Sequence, residues 1–289
     1  MASHSEHNAI EVRNLNKAFQ DFSLKDVSFD LPKGCILGMI GENGAGKSTT
    51  IRLIMNSLTR DSGSVRVLGI DNEDPAFQQV KNDIGIVLDE ACFPAVISTR
   101  IVDKMMSSTY VNWNSDTFHS YIRRLDLPEN RPFKEYSRGM KMKLSIAVAL
   151  SHAPKLLILD EATSGLDPVV RDEILDIFND FTRDPEHSIL ISSHILSDLE
   201  KLCDYIAFLH KGKLMFCEEK DRLMDQYGLL SCSWKALEDI PREAICGRQS
   251  SDYGVTCLVR RDMVSPAFDL QKATIEDIML YQVKGEKIK

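Results

Sequence analysis

Apolar and polar residues alternate from Ile10 to Leu31, in stretches such as IEVRNL and VSFDL, and the period of two predicts a small antiparallel sheet. The pattern then changes to short, unbroken apolar runs: CILGMI at 35–40, LLIL at 156–159 and ILI at 189–191. Such runs are too short for helices and predict strands buried on both faces, as in a parallel sheet. From Asp89 to about Ala153 the spacing becomes helical, as TRIVDKMMSSTY and SDTFHSYIRRL illustrate. Beyond residue 220, SCSWKAL and YGVTCLVRR predict short strands, and ATIEDIMLYQV predicts a helix opened by Thr274 and Asp277 in a capping-box arrangement. The alternation of strands and helices predicts an α/β chain.

Composition narrows the function classes. At 289 residues and 43% hydrophobic content the chain can bury a proper core. A net charge of -8, with no dense run of lysine and arginine, argues against a nucleic-acid partner. The seven cysteines are scattered without a C-x-x-C pair, which fits a reducing compartment and neither a disulfide framework nor a metal cluster. The stretch MASHSEHNAIEVRN lacks the apolar segment of a signal peptide, and no run reaches the roughly 18 to 20 apolar residues that span a bilayer. The chain is therefore not expected to cross a membrane.

Chemistry concentrates after the apolar runs. GENGAGKS at 41–48 fits G-x-x-x-x-G-K-[ST], with Gly41, Asn43, Gly44, Ala45 and Gly46 forming the turn ahead of Lys47 and Ser48. Glycines let backbone N–H groups turn inward around phosphates, and a helix starting near Lys47 aims the positive end of its dipole at them. Lys47 would reach the β- and γ-phosphates, Ser48 would ligate Mg²⁺, and Thr49 would help hold the α-phosphate. Farther on, KLLILDEATSGLDP at 155–168 runs into Asp160, placed to hold Mg²⁺, and Glu161, placed to orient or deprotonate an attacking water. In HSILISSHIL the strand ends at Ser192, Ser193 and His194, and the histidine is a candidate sensor of the γ-phosphate.

Between those strands the sequence resembles the ATP-binding subunit of ABC transporters. YSRGM at 136–140 stands where that family carries a signature of the form L-S-G-G-Q at the start of a helix. The resemblance covers roughly residues 9–220 and implies a P-loop NTPase (RecA-like) core with an antiparallel β subdomain and a helical subdomain at about 89–153. Residues 1–220 would form the ATPase domain and residues 221–289 a small C-terminal α/β accessory domain. It also implies a head-to-tail dimer sandwiching two ATPs, each held by the P-loop of one chain and by Ser137 and Gly139 of the other. Phe19 stands where the family stacks an aromatic ring on adenine, although a strand aromatic in a small core is the alternative. Asp167 matches the loop that couples the two sites, and His194 matches the switch histidine.

Two positions depart from the family. In IGIVLDEACFP at 84–94, Asp89 stands where a glutamine normally meets Mg²⁺ and the attacking water. In YSRGM, Arg138 replaces the first glycine and Met140 the glutamine; Arg138 is expected to point to solvent rather than toward the partner's ATP. Met105, Met106, Tyr110 and Trp113 are either core of the helical subdomain or part of the face that grips a membrane partner. With Glu161 and His194 both present, the resemblance implies a competent ATPase that works, as a homodimer or heterodimer, with a separate multi-span transmembrane subunit. It would lie on the cytoplasmic face of the cell membrane. The signature variant and the W-N-S-D stretch at 113–116 resemble bacterial drug, antimicrobial-peptide or lipid exporters. The alternatives are a soluble ABC ATPase outside transport and a mainly regulatory half of a heterodimer.

Overall fold

The computed structural model describes residues 7–89, 93–251 and 254–284, so the start of the N-terminal stretch tested for a signal peptide and the residues just after Asp89 lie outside it. The chain divides into two compact units, Met1–Cys217 and Glu218–Lys289.

The first unit holds strands β1 (Asn8–Ala18), β2 (Ser23–Pro32), β3 (Ile36–Ile40), β4 (Ser62–Val67), β5 (Ile70–Asp71), β6 (Ile84–Val87), β7 (Leu156–Asp160), β8 (Ser188–Ser192), β9 (Tyr205–His210) and all but the last two residues of β10 (Lys213–Glu219). They are joined in the order β5-β4-β1-β2-β10-β9-β3-β8-β7-β6. The two sequence patterns correspond to two kinds of pairing. β1 runs antiparallel to β2 and to β4, and its Ile10, Val12 and Leu15 are fully buried. β3, β7 and β8 are buried at every residue and pair in parallel, as their unbroken apolar runs require. β9 and β6 extend this parallel set on either side.

Helices Thr99–Ser107, Ser115–Arg124 and Arg138–Leu150 occupy the stretch with helical spacing. Asn114 opens the second by accepting a hydrogen bond from the Thr117 amide at 2.8 Å, and Phe118 and Ile122 turn inward on one face. Tyr110 stacks on His152 with ring centroids 4.0 Å apart, and the Trp113 ring lies 5.2 Å from Phe118 while its indole N–H reaches Asp103. Burial holds the His152 imidazole below the usual histidine range, which favours the neutral ring in this stack. Tyr110 and Trp113 therefore pack inward, whereas Met105 is exposed.

In the second unit β11 (Tyr227–Cys232), β12 (Ile245–Ser251), β13 (Gly254–Arg260) and β14 (Gln271–Lys272) form a sheet in the order β12-β13-β11-β14. SCSWKAL departs from its expected strand. Ser231 and Cys232 finish β11, but Ser233 then accepts from the Ala236 amide and caps a helical turn at Trp234–Leu237. Thr274 and Asp277 cap helix Ile275–Lys284 reciprocally: the Thr274 amide donates to the carboxylate at 2.9 Å, and the Asp277 amide donates to the hydroxyl at 3.1 Å. Burial pushes the Cys257 thiol up to about 11, making it a core group and a poor nucleophile.

Phe118 is fully buried and anchors the helical segment. Phe118→Ala is expected to lower the unfolding free energy by about 3–5 kcal/mol, read from the urea midpoint at constant m-value.

Candidate functional site

Parallel register brings the motif-bearing loops to one end of the sheet. Met39 of β3 pairs with Ser192 of β8, and Ser192 pairs with Asp160 of β7, so the segments that follow begin at the same level.

After β3 the chain turns through the glycine-rich loop into helix Lys47–Ile54. Gly46 sits at its N-cap with φ 112° and offers no side-chain cap, and a Cβ there would come within 3.0 Å of Phe22 and Leu24. Both constraints select glycine and leave the first-turn amides without a side-chain partner. The Lys47 ammonium is buried, donates to the Gly41 carbonyl at 2.8 Å and lies 3.4 Å from Glu161 Oε1. An anion at the loop thus faces both a helix N-terminus and a fixed cation.

After β7, Glu161 adopts a left-handed backbone with φ 54°, a strained conformation for a non-glycine residue. Its amide donates to both the carbonyl and the hydroxyl oxygen of Ser192, each at 3.1 Å. The Ser192 hydroxyl in turn donates to Asp160 Oδ1 at 2.6 Å. One buried serine therefore fixes two successive acidic residues in different directions. The second Glu161 oxygen, Oε2, lies 2.6 Å from His194 Nδ1. Lys47, Glu161 and His194 form a continuous polar row.

A pocket of about 630 Å³ opens over this row. Asn43, Gly44, Ala45, Gly46, Lys47, Ser48 and Thr49 form one wall, and Asp89, Glu161 and His194 also line it. Gly41 and Asp160 are outside the lining and support it through the bonds to Lys47 and Ser192. Phe19 does not line the pocket. It is 46% exposed with its ring centroid 6.2 Å from that of Phe22, and Phe22 is the aromatic residue on the wall. Ser137, Gly139 and Asp167 are outside the lining as well. Ser137 caps helix Arg138–Leu150 and Asp167 caps helix Pro168–Phe181, each accepting an amide three residues on. Arg138 does not simply point to solvent: its Nη2 donates to Asp89 Oδ1 at 2.9 Å.

Sequence reasoning missed Asp21, Phe22 and Ser164, which complete the lining, and the bonding role of Ser192. The signal for Phe22 was the second aromatic in FQDF, beside the first. Ser164 follows Glu161 by one turn, its amide donating to the Glu161 carbonyl at 3.0 Å.

The family model described as ABC transporter matches residues 24–164. The chain is 33% identical over 220 residues to the ABC transporter ATP-binding protein YtrB of Bacillus subtilis (strain 168), covering 75% of this chain and 74% of that protein. It is 34% identical over 216 residues to the lantibiotic transport ATP-binding protein SrtF of Streptococcus pyogenes, covering 73% of this chain and 91% of that one. A solved ATP-binding subunit of an ABC transporter superposes with a TM-score of 0.69 at 26% identity, covering 75% of this chain and 92% of that one.

Ser192 is fully buried and serves both acidic residues. Ser192→Ala is expected to cost about 1–3 kcal/mol, because it leaves a buried carboxylate oxygen without its donor; chemical denaturation measures the loss.

Proposed function

The chain belongs to the ABC transporter ATP-binding family, and on that premise we propose that two such subunits close on two ATPs and reopen after hydrolysis, driving a separate transmembrane protein. The observation that carries this reading is the row in which His194 lies 2.6 Å from one Glu161 oxygen and Lys47 lies 3.4 Å from the other, at the mouth of the glycine-rich loop. Lys47 and the N-terminal amides of its helix offset charge on the phosphates, and Glu161 holds or deprotonates the attacking water while His194 orients Glu161.

The donor set fits Mg²⁺, a hard cation that takes oxygen ligands. Ser48 on the pocket wall would ligate it and Asp160, just outside the lining, would hold it through water, with Asp89 as a further carboxylate donor. Bound there, the ion would supply charge neutralisation on the phosphate oxygens.

Ser137, Gly139 and Asp167 lie outside the pocket that contains Lys47, which supports their service to the ATP of a second copy. Among the described residues no helix is long and apolar enough to cross a membrane, and Val96 (74%), Ile101 (46%) and Met105 (40%) are exposed in the segment that follows Asp89. These apolar residues support docking of a membrane partner on this face, with the subunit peripheral on the cytoplasmic side. The likeness to a lantibiotic transport protein supports export of an antimicrobial-peptide or drug-like cargo.

Glu161→Gln is expected to retain ATP binding while lowering turnover at least about 100-fold, measured as phosphate release beside nucleotide binding. Wild-type turnover in this variant would sink the role given to Glu161. Isolated from detergent-solubilised membranes of its native cell, the chain is expected to bring with it a protein of several transmembrane helices. Recovery only with ribosomes, DNA or no partner would overturn the transport reading.

A further inference from the structure

We propose that Arg138 is a counter-charge for this chain's own nucleotide pocket: a positioning residue that neutralises Asp89 where the phosphates of ATP enter. Asp89 lines the pocket together with Lys47, Ser48, Thr49 and His194. Asp21 and Glu161 line it too, but Glu161 is paired with Lys47 and His194; an uncompensated carboxylate at Asp89 would repel the triphosphate that Lys47 and the loop amides attract. Arg138, 49 positions away in sequence, answers it directly, its Nη2 donating to Asp89 Oδ1 at 2.9 Å.

The guanidinium is held from a second side. Gly165 has φ 68°, and a Cβ built on it would lie 2.7 Å from Arg138 Nη1, 2.9 Å from Cζ and 3.3 Å from Nε. The planar group thus lies against the bare Cα of Gly165, in a space that any side chain there would close. The Arg138 backbone is fixed as well, since it is the first residue of a helix whose N-cap, Ser137, accepts from the Met140 amide at 3.2 Å. A planar, permanently charged fork suits this slot better than the flexible point charge of lysine.

Both partners are about half exposed, at 55% and 51%, so the pair adds little to folding stability. Its consequence is for the field inside the pocket. With Arg138 in place the carboxylate presents a hydrogen-bonded, compensated oxygen; without it, a full negative charge faces the phosphates. A residue of the segment proposed to serve the partner's ATP thereby acts on the ATP of its own chain. Asp89 and Arg138, separate departures from the family pattern, become one compensated pair.

This inference rests on ATP occupying the pocket, and the test separates the two ideas. ATP binding to the full chain is measured by titration calorimetry in excess EDTA, which suppresses hydrolysis and keeps metal coordination by Asp89 out of the comparison. Arg138→Gln is expected to weaken binding about three- to tenfold at low salt, with the deficit shrinking near 0.5 M salt. Adding Asp89→Asn to Arg138→Gln is expected to restore the affinity, and Arg138→Lys to keep most of it. Unchanged binding in Arg138→Gln overturns the proposal. So does a double variant as weak as Arg138→Gln, because a steric or folding defect would not be repaired by removing the carboxylate. Failure of the unaltered chain to bind ATP overturns the pocket reading and the counter-charge with it.

Discussion

The arrangement depends on the register between β7 and β8. Because Asp160 pairs with Ser192, the serine hydroxyl reaches one acidic residue and its carbonyl reaches the amide of the next. Glu161 can occupy a left-handed backbone only because those two acceptors hold its N–H. The twist turns its side chain between Lys47 and His194. A slip of one residue would send Ser192 to the opposite face of the sheet, undoing the support of Asp160 and Glu161 together. Full burial of both strands makes that slip costly, so the hydrophobic core sets the precision of the polar row above it.

The pocket attracts an anion by placement and not by formal charge, since Asp21, Asp89 and Glu161 line it beside Lys47. The chain carries a net charge of -8, yet the pocket contains a buried lysine at a helix N-terminus. Local placement outweighs net charge because the interactions of a buried ammonium are screened less than those of charges on the open surface. Burying an ammonium is costly unless it is paired, and here the Gly41 carbonyl and Glu161 pair it. The same contacts fix the lysine where an incoming phosphate would meet it. Stability of the charge and function of the charge have one geometric cause.

Much of this was legible in the sequence because it is local. The buried strands announced themselves as unbroken apolar runs, and each was followed directly by its polar residues, so Lys47, Glu161 and His194 could be placed before the fold was known. The capping box at Thr274 was equally readable, since both partners lie within one turn. What escaped was set by contacts distant in sequence or by a choice between near neighbours. Phe22 stands three positions beyond Phe19, and a tight turn, in which the Phe19 amide donates to the Phe22 carbonyl at 2.8 Å, accompanies its placement on the wall. Arg138 reads as a solvent-facing arginine until the fold brings Asp89 beside it. In SCSWKAL, period-two apolarity favoured a strand, and a single serine cap favoured the helical turn.

Ser137 and Asp167 show how a residue chosen for local structure becomes available for chemistry. Each is an N-cap, and each spends a side-chain oxygen on one backbone amide three residues along. A helix has more than one orphan amide in its first turn, so a single cap leaves donors that can still meet an anion. In this chain those two helix starts do not line the pocket that holds Lys47. The pocket therefore draws its own attraction from the glycine-rich loop, and Ser137 and Asp167 add nothing to its lining. For one subunit that division serves no purpose in ATP binding; in the proposed pair it lets each chain complete the other's site. Hydrolysis then becomes conditional on closure, which is what a motor needs if ATP is not to be spent without moving its partner.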